Sequence, residues 1–186
     1  MLSREVALDA SPWVRCWVET VELPTGKVYD DFYTVEMRDF AIVFALTDAN
    51  EIVAERNYRH GLGDIATVLP AGFIDDGEEP EAAARRELRE ETGYEASDWR
   101  WLGKYVMDGN RGCGHMHAFM ARGARPSAHQ ELDEMEQIQV QLLPLQRLSD
   151  MLLNGEVKTI ATAAATGMAL HVLAQEEKSA LRKVPA

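Results

Sequence analysis

The stretch that decides the fold is LPAGFIDDGEEPEAAARRELREETGY, which runs from Leu69 to Tyr94. It begins as the end of a strand and a turn, and it then predicts a helix. Pro80 suits the first helical turn, where its missing N–H is not needed, and Gly93 suits the residue just past the helix end. At about 100° per residue the helix has two different sides, an apolar one with Ala83, Ala84 and Leu88 and a basic one with Arg85, Arg86 and Arg89.

Two carboxylates interrupt the apolar side of this helix. Glu87 and Glu91, one turn apart, project from its middle, and Glu90 lies at its edge. Packed against a core, such a cluster would repel itself strongly unless a cation neutralised it. Carboxylates and backbone carbonyls are hard oxygen donors, so the sequence predicts a Mg²⁺ or Mn²⁺ site rather than a zinc site. Because Mg²⁺ is usually shared with substrate phosphates, we expect chemistry on a phosphate ester or anhydride.

The same stretch resembles the Nudix box, written G-x5-E-x7-R-E-U-x-E-E-x-G-U, where U is an aliphatic residue. Every polar and glycine position is present, and only Tyr94 departs, with an aromatic ring where an aliphatic residue is usual. Seven fixed identities would arise by chance on the order of once in 10⁸ starts. The alternative is an ordinary charged amphipathic helix. The matching positions are Gly72, Glu78, Arg86, Glu87, Leu88, Glu90, Glu91, Gly93 and Tyr94.

Composition and charge narrow the class of protein. A chain of 186 residues with 46% hydrophobic residues is long enough for one domain with a real core. Its net charge of −12 argues against non-specific binding to nucleic acid, which needs a basic surface. Cys16 and Cys113 form no disulfide framework or zinc spacing, and neither a signal peptide nor a membrane span is evident. We expect a soluble cytoplasmic protein that binds no nucleic acid and no membrane.

The rest of the chain predicts strands mixed with helices. Residues 1–38 form an N-terminal antiparallel β-hairpin element, residues 39–175 form the main domain, and residues 176–186 form a polar, frayed tail. The expected fold class is α/β (α+β mixed), an α/β/α sandwich with a mixed sheet, which is also the Nudix fold. The predicted elements are strands at 13–23, 28–37, 39–46, 51–59, 99–107, 115–121 and 138–143, a mobile loop at 108–114, and helices at 145–153 and 159–175.

Two features in front of the box resemble the ADP-ribose or ADP-sugar pyrophosphatase branch of the family. Tyr58-Arg59 precedes the turn Leu69-Pro70-Ala71-Gly72 by about a dozen residues. The resemblance implies that Arg59 contacts the substrate diphosphate, which a guanidinium fork fits well, and that the carbonyl of Ala71 binds metal. We place Gly72 with the substrate-binding residues. Val68 departs from the pattern, because that branch usually has Glu two residues before Pro-Ala-Gly.

An acidic segment follows the box by some forty residues. By itself, a run of acids before a strand is usually a solvated turn. In ADP-ribose pyrophosphatases, however, an E-x-E-x-I segment before the last strand supplies the glutamate that activates water. Glu134-Met135-Glu136-Gln137-Ile138 has this spacing. Resemblance therefore makes Glu134 the candidate base, with Glu136 in reserve and Glu90 as a further possibility.

His115 and His117 alternate along a predicted strand, so they share one of its faces. This spacing suits a metal, although no third ligand is in sight, and ordinary strand histidines are the alternative reading.

The sequence thus predicts Mg²⁺-dependent hydrolysis of the diphosphate bond in ADP-ribose or another nucleoside diphosphate sugar. Glu87, Glu90, Glu91 and the Ala71 carbonyl would hold the metal. Glu78 and Arg86 would hold the loop and helix together, and Gly93 is a further structural residue of the box. Two alternatives stay open: a Nudix hydrolase for another nucleotide (dinucleoside polyphosphate, modified nucleoside triphosphate or coenzyme A), and a non-catalytic Nudix-fold nucleotide-binding module. The resemblance also implies a homodimer formed through the N-terminal hairpin.

Overall fold

The computed structural model describes residues 1–133 and 137–182. Strands dominate the first half of the chain, and two of the three helices in the described residues follow one another near its end. In chain order the elements are β1 Ser3–Ala10, β2 Val14–Glu22, β3 Val28–Glu36, β4 Phe40–Thr47, β5 Glu51–Arg59, β6 Asp64–Val68, β7 Ala71–Phe73, α1 Pro80–Thr92, β8 Tyr94–Glu95, β9 Asp98–Asp108, β10 Gly112–Pro126, β11 Gln139–Pro144, α2 Leu145–Leu153 and α3 Ile160–Leu181.

The chain divides into two compact units. The first contains residues 1–40 and 104–116, and the second contains residues 41–103 and the chain from His117 onward. Strands β9 and β10 each contribute to both units. The adjoining ends of β9 and β10 group with the N-terminal strands in the first unit, and the domain boundary at residue 38 stays a prediction.

The first unit is a small sheet in the order β1, β2, β3, β10. The predicted hairpin is present as β2 and β3, which pair antiparallel, and Val35 of β3 also faces Gly112 of β10 in a parallel bridge. Strand β1, which the sequence did not predict, pairs antiparallel with β2 and is exposed along its whole length.

The predicted mobile loop at residues 108–114 is wrong. Strands β9 and β10 leave only three residues between them, and Asp108 Oδ1 accepts hydrogen bonds from the backbone N–H groups of Asn110 and Arg111, at 2.7 and 2.8 Å. Gly112 and Gly114 belong to β10 and lie close to the backbone of neighbouring residues instead. Gly114 has φ 74°, and a Cβ there would lie 2.7 Å from the carbonyl oxygen of Arg38. The sequence predicts a loop here because glycine is common in loops, but it also occurs in strands where another backbone approaches closely.

The second unit is built around the sheet order β10, β4, β5, β11, with β6 added to β5. Helix α1 covers one face, where Ala83, Ala84 and Leu88 join a buried cluster with Val43 and Val53. Helix α2 packs against β5 and β11 and contacts α3. This arrangement is the predicted sandwich of helices around a sheet.

Helix α3 is longer than predicted. We expected it to end at Gln175, but it continues to Leu181, so the predicted end of the helix is wrong. Glu176 supplies the reason, because it pairs with Arg100 at 3.1 Å and also with Arg122, which ties the helix to β9 and β10. Among the helices within the described residues, none has the length and apolar content to span a membrane.

Candidate active site

The ends of helix α1 fix where its carboxylates lie. Pro80 occupies the first turn, as predicted, and Gly93 ends the helix with φ 73°, its N–H bonding the carbonyl of Arg89 at 2.8 Å. A Cβ at Gly93 would lie 2.5 Å from the carbonyl oxygen of Ala128. The position therefore requires glycine both for its left-handed backbone and for the close approach of the chain after β10.

The two carboxylates on the apolar side of α1 are buried against the turn at residues 70–72. Glu87 and Glu91 are 9% and 5% exposed, and Glu91 Oε2 accepts a hydrogen bond from the N–H of Ala71 at 2.8 Å. A Cβ at Gly72 would lie 2.2 Å from the Glu87 carboxyl group. The structure thus brings together the turn and the helix that the sequence predicted as one site.

A third buried acid, Glu55 on β5, joins this pair and was missed by sequence reasoning. Its side chain is completely buried. Burial first, then the charge of Glu55 and then that of Glu87, raise the pKa of Glu91 far above the usual range of a glutamate. One feature of the sequence could have indicated Glu55: it directly follows the apolar run Ile52 to Ala54, and a charged residue is rarely buried in a strand without a specific role.

Arg86 joins the site to the loop in front of it. Its Nε and Nη2 atoms donate to the two carboxylate oxygens of Glu78, each at 2.9 Å, and Nη2 also donates to the carbonyl of Phe73 at 3.0 Å. Its Nη1 donates to Glu87 at 2.6 Å and to Glu90 at 3.2 Å. The hydrogen bonds to Glu78, ahead of those to Glu87 and Glu90, hold the pKa of Arg86 above its usual value. One side chain therefore fastens the β7–α1 loop to α1, and the expected pair with Glu90 is present.

The donor set of this site fits a hard divalent cation. Among the described residues, no three His, Cys, Asp or Glu side chains form a ready-made metal cluster. Arg86 and the N–H of Ala71 engage oxygens of the acids. Two carboxylates, those of Glu87 and Glu90, nevertheless accept from the single cationic nitrogen Nη1, which marks a position for positive charge. All the candidate donors are oxygens, the ligands that Mg²⁺ and Mn²⁺ prefer.

The remaining predicted site residues are Arg59, Glu90, Glu134 and Glu136. Arg59 is the half-buried last residue of β5. The alternation of side chains puts it on the same strand face as Glu55, about 13 Å further along. Glu90 is half-buried and also contacts Arg89 at 3.3 Å. Glu134 and Glu136, the candidate bases, lie outside the described residues.

A cavity of about 350 Å³ lies within the first unit, lined in part by Glu19, Asp39 and His115. Glu19 pairs with Arg4 at 3.0 Å, and Asp39 pairs with Lys104 and with Nδ1 of His115, both at 3.0 Å. His115 is thus engaged with a carboxylate, as an ordinary strand histidine would be.

A family model described as NUDIX domain matches residues 37–163, and the chain belongs to the Nudix family. The predicted family, fold class and enzyme type, a Nudix hydrolase, are confirmed. The family implies a nucleotide as small-molecule substrate and a divalent metal as cofactor.

Individual relatives have more specific names than the family model. The chain is 33% identical over 150 residues to the ADP-ribose pyrophosphatase of Bacillus subtilis, covering 80% of each protein. It is 34% identical over 110 residues to the methanol dehydrogenase activator of Bacillus methanolicus, and this match spans only 59% of each protein. Its fold matches a crystal structure of an ADP compounds hydrolase with a TM-score of 0.79 at 22% identity, covering 94% of each chain.

Proposed function

We propose that the chain hydrolyses the diphosphate bond of a nucleoside diphosphate linked to another group, with ADP-ribose as the first substrate to test. The observation that carries the proposal is the burial of Glu55, Glu87 and Glu91 beside the turn at Ala71 and Gly72. Buried carboxylates that repel one another need a cation, and a divalent cation beside them suits a diphosphate. The relationship to the Bacillus subtilis ADP-ribose pyrophosphatase supports the choice of substrate.

Each residue has a proposed role. Glu87, Glu90, Glu91 and the Ala71 carbonyl would hold Mg²⁺ or Mn²⁺, which would neutralise phosphoryl charge and make water a better nucleophile. Arg59 binds the diphosphate oxygens, and Gly72 leaves room beside Glu87. Glu134, with Glu136 in reserve, accepts the proton of the water that attacks phosphorus. The phosphorus–oxygen bond of the anhydride breaks, giving a nucleoside monophosphate and a sugar phosphate.

The proposal extends to location and assembly. Cys16 and Cys113 are both free thiols, which supports a reducing, cytoplasmic compartment. Strand β1 is an exposed edge strand that presents Val6 and Leu8, each 52% exposed, and this supports a homodimer formed through the N-terminal strands.

The test is turnover of a nucleotide panel with Mg²⁺, with Mn²⁺ and with EDTA. The panel contains ADP-ribose, a dinucleoside polyphosphate, a modified nucleoside triphosphate and coenzyme A. We expect the highest kcat/KM for ADP-ribose and loss of activity in EDTA. A higher kcat/KM for another panel member would make that nucleotide the substrate in place of ADP-ribose. Full activity in EDTA would contradict the proposed need for a divalent metal. Binding of a nucleotide without turnover would indicate a non-catalytic module.

A further inference from the structure

Glu55 lies on the face of the sheet that helix α1 covers. Side chains alternate along a strand, so Glu55 shares its face of β5 with Val53, which packs in one buried cluster with Leu88 of α1. The register places Val68 of β6 and Val140 of β11 directly opposite Glu55, one on either side. Residues paired in this way project to the same face of a sheet. Glu55 therefore stands between two valines, beneath the helix that carries the other acids.

The group that faces Glu55 from α1 is another acid. The side chains of Glu55 and Glu91 lie within hydrogen-bonding reach of each other, and the charge of Glu87 also acts on Glu91. Ala71, whose N–H donates to Glu91 at 2.8 Å, comes three residues after the Val68 that pairs with Glu55. The exposed fraction falls from 9% for Glu87 to 5% for Glu91 and 0% for Glu55. The acids of α1 are thus continued into the core by one acid of the sheet.

An acid at position 55 needs a physical reason. An aliphatic side chain there would fill the space between Val68 and Val140 without placing an ionisable group in the core. A buried carboxylate is unfavourable unless a cation or hydrogen bonds compensate it, and a second carboxyl group beside it adds to the penalty. A residue that breaks the local rule of an apolar strand face in this way is typical of a functional site.

We propose that Glu55 is a further ligand of the divalent metal, so that Glu55, Glu87 and Glu91 bind it together from one strand and one helix. The inference rests on the metal of the proposed function and not on the identity of the substrate. A carboxylate supplies both the oxygen that Mg²⁺ and Mn²⁺ prefer and the negative charge that offsets theirs. Burial strengthens this attraction, because water screens it less than at the surface.

Two substitutions at position 55 separate ligation from packing. Glu55→Gln keeps the shape and removes the charge, and Glu55→Ala removes both oxygens and leaves room for a water. The matched control is Glu51→Gln, the same change four residues earlier on the same face of β5 and about 13 Å away along the strand. For each protein, EPR titration gives the Mn²⁺ dissociation constant, and pulsed EPR in H₂O and D₂O counts the waters on bound Mn²⁺. Thermal unfolding in EDTA gives the stability of the metal-free protein.

We expect Mn²⁺ affinity to fall about 10- to 1,000-fold in both variants of Glu55, because a charged ligand is lost from a buried site. In Glu55→Ala, bound Mn²⁺ should carry one more water than in the wild type, since solvent takes the place of the lost ligand. The Tm of Glu55→Gln in EDTA should equal or exceed that of the wild type, because the metal-free protein no longer buries this acid. Glu51→Gln should stay within twofold of the wild type in Mn²⁺ affinity and gain no water.

Other outcomes overturn the inference. Unchanged Mn²⁺ affinity in folded Glu55→Gln would reject it, and a lower Tm in EDTA beside that result would make Glu55 a structural residue. Weaker Mn²⁺ binding without an additional water in Glu55→Ala would show that the charge of Glu55 acts from a distance, which rejects ligation. A wild-type protein that binds Mn²⁺ but does not hydrolyse ADP-ribose would reject the proposed reaction alone, and the Mn²⁺ titrations would still decide the role of Glu55. A wild-type protein that binds no Mn²⁺ would reject both.

Discussion

At the scale of single residues, the unusual feature is the concentration of buried carboxyl groups. Glu55, Glu87 and Glu91 come from a strand and a helix, and all three are nearly inaccessible to water. Two of them were predicted, because Glu87 and Glu91 share one helix and its period reveals their common face. Glu55 was not, because its proximity to Glu91 arises from packing between elements, which a local pattern does not encode.

These carboxyl groups predict a pH effect on the metal-free protein. Since the folded-state pKa of Glu91 is raised, the folded protein binds more protons than the unfolded chain above the usual glutamate pKa. Stability is therefore fully present below that value and is lost as pH rises toward the raised pKa. Glu91→Gln should remove part of this loss, raising the stability of the metal-free protein by about 1–3 kcal/mol at pH 8.

The measurement is Tm in EDTA from pH 6 to 9. The wild-type Tm should fall with pH more steeply than that of Glu91→Gln, and added Mg²⁺ should reduce the wild-type slope alone. If Tm falls equally with pH in the two proteins, the titration of Glu91 does not contribute to the pH dependence of stability.

A second prediction at this scale concerns the base. If Glu134 accepts the proton of the attacking water, Glu134→Gln should lower kcat by about 10²–10⁴ with little change in KM or metal affinity. Glu136→Gln is the matched control and should be much milder. Steady-state kinetics at saturating ADP-ribose and Mg²⁺ decide between them: a crippled Glu136→Gln swaps the roles, and a loss below tenfold in both moves the base to Glu90.

At the scale of elements, strong local signals predicted the structure well and weak ones did not. Strand β5 and helix α2 have the predicted bounds, and α1 begins at Pro80 and stops before Gly93 as its end signals require. Strand β1 was missed because all of its residues are exposed, so it has no buried apolar face to indicate a strand. The strand is defined by its pairing with β2. The long ends of β9 and β10 were missed because their glycines resemble a loop.

Arg86 allows the coupling between two elements to be tested. It fastens the β7–α1 loop to α1 through a two-pronged pair with Glu78, whereas Arg85 pairs with Glu81 at the exposed surface and lies over the ring of Trp99, 4.5 Å from its centre. We expect Arg86→Lys, which keeps the charge but loses the fork, to cost about 1–3 kcal/mol of stability and to weaken Mn²⁺ binding. Arg85→Lys should cost at most about 1 kcal/mol, because it weakens an exposed ion pair and the contact with Trp99, and it should leave Mn²⁺ binding unchanged. Chemical denaturation and metal titration of both variants provide the check, and equal effects would show that the Glu78 pair has no special role.

At the scale of the whole molecule, the separate first unit raises the matter of assembly. A strand that is exposed along its length and carries apolar side chains tends to pair with another chain unless charges block its edge. Strand β1 has this character at Val6 and Leu8.

We therefore expect the double variant Val6→Lys and Leu8→Lys to convert the proposed homodimer into a monomer, since lysine on an edge strand opposes pairing. The matched control is Leu153→Lys, which changes an apolar residue that is 81% exposed in the second unit and should leave the dimer intact. Light scattering coupled to size-exclusion chromatography measures the mass of all three proteins over a range of concentrations. A wild-type protein that is monomeric throughout would reject the homodimer, and a dimer that survives in the double variant would place its interface away from β1.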